Sequence, residues 1–288
     1  MSLVAWDRLS ARLVKRDVHR TIGRFGRIRR AYSVLQSRRQ RHHETHHKSR
    51  LAPNSTSLFP HVSVSQSTQD LREHSIFVGL NLSQPIVEEI YQFACTSPLY
   101  EPGFEGDFYA SEVIDGFLCS GRPTMRGLVK NPSHCLAIET IAKDPVLLEI
   151  VHSYLKYWPT QVTRHLTWTF ASKLPIDEQR DRFLPLNYHY DVAGYNFMSV
   201  YFYITDMDEF SGAHVMITGS HDDKPFHTLF APWSGKQTDA EILDHYGKGR
   251  ELLIEGKAGF GFAQDPSCFH KLLPPIRQNR LIFQIRYA

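Results

Sequence analysis

The segment NYHYDVAGYNFMSVYFYIT, residues 187–205, combines two patterns that decide the fold. His189 and Asp191 are separated by one residue, and residues i and i+2 of a strand point to the same face. The rest of the segment is a β-rich run dominated by apolar and aromatic side chains. The segment therefore predicts a strand that presents an imidazole and a carboxylate on one face, followed by a buried strand.

Short β-rich runs of the same kind continue to the end of the chain and are separated by turn residues. They are HLTWTFAS (165–172), AHVMITGS (213–220), ELLIEG (251–256), GFGFAQ (259–264) and RLIFQIRYA (280–288). Many short strands with turn signals are typical of a sandwich or barrel. We therefore predict a mainly β fold.

Before residue 162 the pattern favours helices that flank the strands. After a short strand at 76–80, Ser83 and Pro85 indicate the start of one helix, with Ile90 on its apolar face. Pro145 opens another, and its buried stripe comprises Leu147, Leu148, Val151 and Leu155.

The charge of the chain is divided unevenly. Residues 1–50 carry fourteen lysines and arginines against three acids, whereas the remainder has a net charge of −8. We predict a basic, partly helical arm and polar linker over residues 1–75, with 38–58 and the Ser- and Thr-rich stretch to about 70 read as loop. The body is then residues 76–288.

Three interpretations of this arm remain open. Its helices can pack on the acidic body or on a second subunit, or bind an anionic surface such as a membrane or nucleic acid. An Arg-rich transit peptide is the third. Because the four cysteines are scattered and no run of about 20 apolar residues occurs, we expect a cytoplasmic protein without a transmembrane segment. The arm lacks the candidate ligands, and we expect it to be dispensable for chemistry.

A third candidate ligand, His270, lies downstream in the segment PSCFH. Two histidines and one carboxylate form the facial triad of non-haem Fe(II) oxygenases, and they leave metal positions open for a 2-oxo acid and O₂. An H-x-D pair alone is weak support in a chain with 16 histidines. We predict a metal site formed by His189, Asp191 and His270.

An arginine follows at the start of the last β-rich run. Arg280 comes ten residues after His270, and a guanidinium can bind the distal carboxylate of 2-oxoglutarate bidentately. Arg277 is the rival, but it lies in the preceding loop. The alternation of the run also places Arg280, Ile282, Gln284 and Arg286 on one face and four apolar or aromatic residues on the other.

These motifs together resemble the phytanoyl-CoA dioxygenase-like family. The resemblance rests on NYHYDVAGYNFMSVYFYITDMDEFSGAHVMITGSHDDKP and GFAQDPSCFHKLLPPIRQNRLIFQIRY, and it covers roughly residues 76–288. It implies a double-stranded β-helix (jelly-roll, cupin-like) core with flanking helices. It also implies Fe(II) held by His189, Asp191 and His270, with 2-oxoglutarate as cosubstrate bound through Arg280, and O₂.

The expected reaction is hydroxylation of an unactivated C–H bond of a small-molecule substrate, of lipid or sugar type among others, with desaturation or epimerisation as variants. Because Asp191 is present, halogenation is disfavoured. Ile282 stands where related oxygenases often carry a serine, so a second contact to the distal carboxylate must come from elsewhere. Lys271 and Tyr203 are both candidates.

Other histidines and other functions are the alternatives. His214 and His221 are weaker candidate ligands, and His43-Glu44-Thr45-His46-His47 matches a zinc peptidase motif but lies in a polar run. A non-catalytic jelly-roll binding protein is one rival function. A nucleic-acid or membrane-surface module acting through the basic arm is the other.

Overall fold

The computed structural model describes residues 21–51, 56–230 and 235–288. Its helices are α1 Gly26–Gln40, α2 Glu44–Leu51, α3 Val64–His74, α4 Gln84–Thr96, α5 Leu136–Ala142, α6 Pro145–Leu155, α7 Ile176–Arg182, α8 Phe226–Leu229 and α9 Asp239–Tyr246. The strands are β1 Ile76–Asn81, β2 Leu99–Tyr100, β3 Val113–Ile114, β4 Phe117–Leu118, β5 Arg126–Val129, β6 Val162–Thr169, β7 Tyr188–His189, β8 Met198–Tyr203, β9 His214–Ile217, β10 Gly235–Gln237, β11 Glu251–Ile254, β12 Phe260–Gln264, β13 His270–Leu272 and β14 Arg280–Tyr287.

Two antiparallel sheets form the core of the fold. The larger has seven strands in the order β1-β12-β8-β14-β6-β5-β2, and the smaller has five in the order β10-β7-β13-β9-β11. Residues from both sheets line one common cavity, so the sheets face each other across it. This is the predicted mainly β, jelly-roll core with flanking helices.

Strand β14 separates the apolar core from that cavity. It lies between β6 and β8, and Leu281, Phe283, Ile285 and Tyr287 are fully buried on one of its faces. There they join an apolar cluster that includes residues of α4, α5 and α6. The other face carries the cavity-lining residues of β14. The predicted alternation is confirmed.

The other local predictions from residue 76 onward agree with the structure, except that β7 ends at His189, so that Asp191 lies just beyond the strand predicted to carry both. Each β-rich run contains a strand, and α4 begins directly after Ser83 with Pro85 in its first turn. Ser83 makes no side-chain cap, whereas Asp144 caps α6 by accepting hydrogen bonds from the amides of Val146 (2.9 Å) and Leu147 (3.1 Å). The predicted stripe of α6 is buried.

The interpretation of residues 38–58 and of the Ser/Thr-rich stretch as loop is wrong for most of their length. Helix α1 continues to Gln40, and α2 and α3 follow. The polar residues of α3 are accommodated within the helix. The hydroxyl of Ser67 donates to the Ser63 carbonyl and that of Thr68 to the Val64 carbonyl, each at 2.7 Å. Leu71 of α3 is fully buried and packs in the apolar core.

Helix α1 lies against the body. Gln40 at its end bonds to both backbone groups of Trp158, and Tyr32 stacks on Tyr195 with ring centroids 5.0 Å apart. Residues 1–20 of the predicted arm lie outside the described residues, and the boundary at 75 stays a prediction. In the described ranges no helix is long and apolar enough to span a membrane.

Candidate metal centre

The two histidines of the H-x-D…H pattern face each other across neighbouring strands. His189 on β7 and His270 on β13 are direct partners in the antiparallel register, and their ring centroids are 4.3 Å apart. Asp191 follows β7 by two residues. One ligand atom from each of the three lies within 4.8 Å of the others, and no other such cluster of three occurs in the part of the chain that the structure describes.

Backbone carbonyls fix the tautomer of both imidazoles. His189 Nδ1 lies 2.9 Å from the Asn187 carbonyl oxygen, and His270 Nδ1 lies 2.9 Å from that of Cys268. Because a carbonyl can only accept, each Nδ1 carries the hydrogen and each Nε2 presents its lone pair. Such a bond from the far ring nitrogen is the usual way that a metal-binding histidine is oriented.

The third group, Asp191, is held from two directions. Its amide donates to the Pro266 carbonyl at 2.8 Å, which ties it to the segment that leads into His270. Its Oδ2 accepts from Arg286 Nη2 at 3.2 Å. One carboxylate oxygen is therefore engaged by a cation, and the other is available to a metal.

Burial keeps the buried imidazoles of the site neutral at pH 7. Burial and the neighbouring His189 together lower the pKa of His270 to about 4, although Asp191 acts in the opposite direction. Burial likewise lowers the pKa of His214 well below its ordinary value. Neutral imidazole is the form that binds a metal.

These groups open into a cavity of about 330 Å³ between the two sheets. In the larger sheet, Arg126, Thr169 and Arg280 are aligned in one row across β5, β6 and β14. All three line the cavity, and His214 lines it from β9. The cavity thus has three candidate metal ligands in one part of its wall and two arginines in one row of another.

Arg280 lies deep in this cavity. It is 2% exposed, its Nη1 is 3.5 Å from Thr169 Oγ1, and its Nε has no hydrogen-bond partner among the described residues. Burial lowers its pKa to about 10, while Tyr203 and Tyr201 act in the opposite direction. The guanidinium therefore remains charged at pH 7 in a place where no carboxylate neutralises it.

The rival candidates occupy other positions. Arg277 is largely exposed, lies over the ring of Phe210 and is 3.5 Å from Asp208. Lys271 points away from the cavity, with its Nζ 2.9 Å from Asp239. Tyr203 is buried, but its hydroxyl donates to the Ile254 carbonyl at 2.7 Å, and it does not line the cavity.

The weaker candidate ligands are not members of the three-residue cluster. The ring of His214 stacks on His270 with centroids 5.2 Å apart, and neither of its nitrogens has a described hydrogen-bond partner. His221 bonds to Ser75 through Nδ1 at 2.6 Å. Glu44 and His47 of the peptidase-like motif belong to α2, which has no buried residue.

The sequence did not indicate a role for Thr169 or Arg126, nor the ion pair of Arg286 with Asp191. Arg286 was placed on the cavity-facing side of its strand, and only its ion pair with Asp191 was not foreseen. Thr169 and Arg126 gave no local signal, because their role follows from the pairing of β5, β6 and β14. Arg126 is 43 residues before its strand partner Thr169, and Thr169 is 111 residues before its partner Arg280.

Comparison with known proteins supports the fold. No family model and no curated sequence matches the chain. Among solved structures, the non-heme alpha ketoglutarate dependent epimerase SnoN from nogalamycin biosynthesis aligns with a TM-score of 0.53 at 11% identity, over 78% of this chain and 82% of SnoN. SnoN in complex with Fe3+, alpha ketoglutarate and nogalamycin RO gives 0.50 at 13% identity, over 78% and 83%. EvdO2 from Micromonospora carbonacea var. aurantiaca, complexed with 2-oxoglutarate, gives 0.49 at 12% identity, over 81% and 93%.

At such identities the likeness concerns the fold alone. The two alignments with SnoN agree with a jelly-roll core that covers most of the chain. Membership of the phytanoyl-CoA dioxygenase-like family stays a prediction.

The unpaired guanidinium of Arg280 should lower the free energy of unfolding of the metal-free protein. Replacing buried ion pairs by apolar side chains of similar volume is often stabilising, by about 1–4 kcal/mol, and an unpaired charge lacks even the attraction of a partner. We expect Arg280→Met to raise the free energy of unfolding of the metal-free protein by an amount in this range, measured by urea denaturation. Arg277→Met, at an exposed arginine, should leave it nearly unchanged. Equal stability of Arg280→Met and the parent protein would contradict the assignment of an unneutralised charge.

Proposed function

We propose that this protein is an Fe(II)- and 2-oxoglutarate-dependent oxygenase. The observation that carries the proposal is the convergence of His189, Asp191 and His270 in the wall of a cavity that also holds the unneutralised guanidinium of Arg280. The metal would be held by three groups on one side. The arginine would supply the charge that the far end of a dicarboxylic cosubstrate requires.

The donor set fits Fe(II). Two neutral imidazole nitrogens and one carboxylate oxygen are the ligands of the facial triad, whose remaining positions stay open. The hydrogen bonds from both Nδ1 atoms orient the imidazoles, and the ion pair with Arg286 orients Asp191. SnoN, which shares the fold, carries Fe3+ and alpha ketoglutarate in its complex, and this adds to the proposal.

We assign the distal carboxylate of 2-oxoglutarate to Arg280 and Thr169. The two side chains are neighbours across β14 and β6, and the hydroxyl of Thr169 lies 3.5 Å from Nη1 of Arg280. Thr169 thus provides the second contact for which Lys271 and Tyr203 were the candidates from the sequence. A hydrogen bond between the Arg280 guanidinium and a carboxylate would be charge-assisted, and such bonds are stronger than neutral ones.

The chemistry follows from this arrangement. When bound, the iron supplies the oxidation of the cosubstrate by O₂ to succinate and CO₂, coupled to oxidation of the substrate. The residues of the chain would orient both molecules in the cavity between the two sheets. We propose hydroxylation of an unactivated C–H bond of a small molecule as the outcome. Epimerisation, the activity that names SnoN, is the variant to separate from it by product analysis.

The metal ligands can be tested by anaerobic spectroscopy. Adding Fe(II) and 2-oxoglutarate to the protein should produce a metal-to-ligand absorption band, because the cosubstrate chelates the metal. His189→Ala, Asp191→Ala and His270→Ala should each abolish this band. His227→Ala, on the exposed surface of α8, is the control. A band of full strength in His189→Ala would refute the ligand assignment, and no band in the parent protein would leave a non-catalytic binding protein as the better explanation.

The cosubstrate contact is tested by titrating 2-oxoglutarate into the Fe(II)-loaded protein. Removing one side of a buried charge pair costs about 2–5 kcal/mol, so Arg280→Ala should weaken binding by more than about tenfold. Iron affinity should change little. Arg277→Ala should have a small effect, since this side chain lies outside the cavity. If Arg277→Ala is the damaging change, the anchor is assigned to the wrong arginine.

A further inference from the structure

A second arginine of the cavity has no assigned role. Arg126 on β5 lines the cavity in the same row as Thr169 and Arg280, but it is only half-buried. Its guanidinium lies 5.3 Å from the centroid of the Phe183 ring. A guanidinium placed over an aromatic face is held in position without using its hydrogen-bond donors.

The charge of Arg126 is not fully balanced by the protein. Burial lowers its pKa, and the nearby Glu101 opposes this. Glu101 also lies 3.8 Å from Arg122, so one carboxylate serves two arginines. No described side chain accepts a hydrogen bond from the guanidinium of Arg126. Its donors are therefore available to a ligand in the cavity.

The position of Arg126 separates it from the cosubstrate. Neighbouring strands lie about 4.8 Å apart, so two strand spacings place the backbones of Arg126 and Arg280 about 10 Å apart. Arg280 is buried, whereas Arg126 is partly exposed to solvent. If 2-oxoglutarate is bound by Arg280, Arg126 is free to bind the substrate, which enters the cavity after the cosubstrate.

We propose that Arg126 binds an anionic group, a carboxylate or a phosphate, of the substrate. This inference rests on the proposed function and gives it a substrate class. The cavity wall around this row carries the polar side chains of His165, Thr167 and Gln284 beside the apolar side chains of Leu128 and Ile282, so a substrate with both polar and apolar parts would fit it. Burial and the charge of Arg286 lower the pKa of His165, so this ring is neutral and does not compete for the anion.

The test uses two simple anions as probes. Inorganic phosphate and acetate are each titrated by calorimetry into protein loaded with Ni(II) and 2-oxoglutarate at low salt. We expect the parent protein to bind one of them and Arg126→Gln to bind it at least about fivefold more weakly. Arg122→Gln is the matched control, because Arg122 shares Glu101 but does not line the cavity. The preferred probe identifies the anionic group.

Three results would overturn this inference. They are binding of neither anion by the parent protein, unchanged binding in Arg126→Gln, and a loss of 2-oxoglutarate affinity in Arg126→Gln. The last result would place Arg126 in the cosubstrate site. If the parent protein fails to bind 2-oxoglutarate at all, the proposed function itself is wrong.

An independent observation concerns Arg29, a buried arginine of the N-terminal helix. It is 7% exposed and reaches three acceptors on two different segments. Nε and Nη2 donate to Asn196 Oδ1 at 3.1 and 2.8 Å, Nη2 donates to Asp265 at 2.6 Å, and Nη1 donates to Ser267. Burial raises the pKa of Asp265, but Arg29 outweighs this and holds it well below the ordinary value.

The two segments that Arg29 joins are those that carry the candidate metal ligands. Asn196 lies five residues after Asp191, and Asp265 and Ser267 immediately precede the Cys268–His270 turn. The same segments touch once more, where the amide of Asp191 donates to Pro266. We infer that Arg29 is a positioning residue that fixes the separation between Asp191 and His270, so the N-terminal helix contributes to the metal site.

Cobalt binding tests this role separately from activity. We expect Arg29→Met to weaken Co(II) binding by at least about tenfold and to alter the visible Co(II) spectrum, with unchanged far-UV circular dichroism. Arg29→Lys, which keeps the charge but cannot reach all three acceptors, should be intermediate. Arg30→Met is the matched control, because Arg30 on the same helix makes only an exposed pair with Asp222.

If Arg29→Met fails to fold, Arg29→Met combined with Asp265→Asn removes both charges and should show the same weakening. A folded Arg29→Met or double variant that binds Co(II) like the parent protein, with the same spectrum, would overturn the inference. Failure of the parent protein to bind Co(II) would instead contradict the metal site itself.

Discussion

The pairing of β14 with β6 and β8 is the constraint on which the cavity depends. Four large apolar side chains of β14 are fully buried on the core face, and each contributes about 1.5–3 kcal/mol by its burial. Because side chains alternate along a strand, a slip by one residue would move Arg280 and Arg286 into the apolar cluster. The core therefore fixes the register, and the register places Arg280 beside Thr169 and Arg286 beside Asp191.

The buried guanidinium of Arg280 requires a physical explanation. Arg280 is buried without a carboxylate partner, and an unpaired buried charge reduces stability. A structural role would be met equally well by an apolar residue of the same volume. Such a charge is understandable when a ligand supplies the missing anion, and this argument is independent of any motif in the sequence. It supports a cosubstrate with a distal carboxylate more strongly than the H-x-D pattern does.

The sequence predicts features that depend on local periodicity. The strands after residue 162 and the two faces of β14 follow from alternation with a period of two. The H-x-D spacing indicated the pair His189/Asp191, although β7 ends at His189. Alternation would also have excluded Lys271, because a residue adjacent to His270 in a strand points to the opposite face. The structure has its ammonium group on Asp239, outside the cavity.

Features that depend on strand order could not be predicted in the same way. Thr169 becomes the neighbour of Arg280 only because β6 pairs with β14, and no local signal specifies this pair. Helices α2 and α3 were missed for a different reason. Their polar composition resembles a linker, and the hydroxyl bonds to the preceding turn that satisfy Ser67 and Thr68 cannot be read from composition.

The N-terminal segment shows the difference between charge attraction and a specific contact. The excess of basic residues before position 50 predicts attraction to an acidic body, and exposed pairs such as Arg30–Asp222 are of this kind. Salt screens such pairs over about 8 Å at physiological ionic strength. The pair of Arg29 with Asp265 is buried and escapes this screening. Arg29 is one of fourteen basic residues in this segment, and composition alone could not single it out for this buried contact. Because a buried pair is screened much less than an exposed one, Arg29 holds helix α1 against the segments that carry Asp191 and His270, and the proposed metal site would be assembled from three segments distant in sequence.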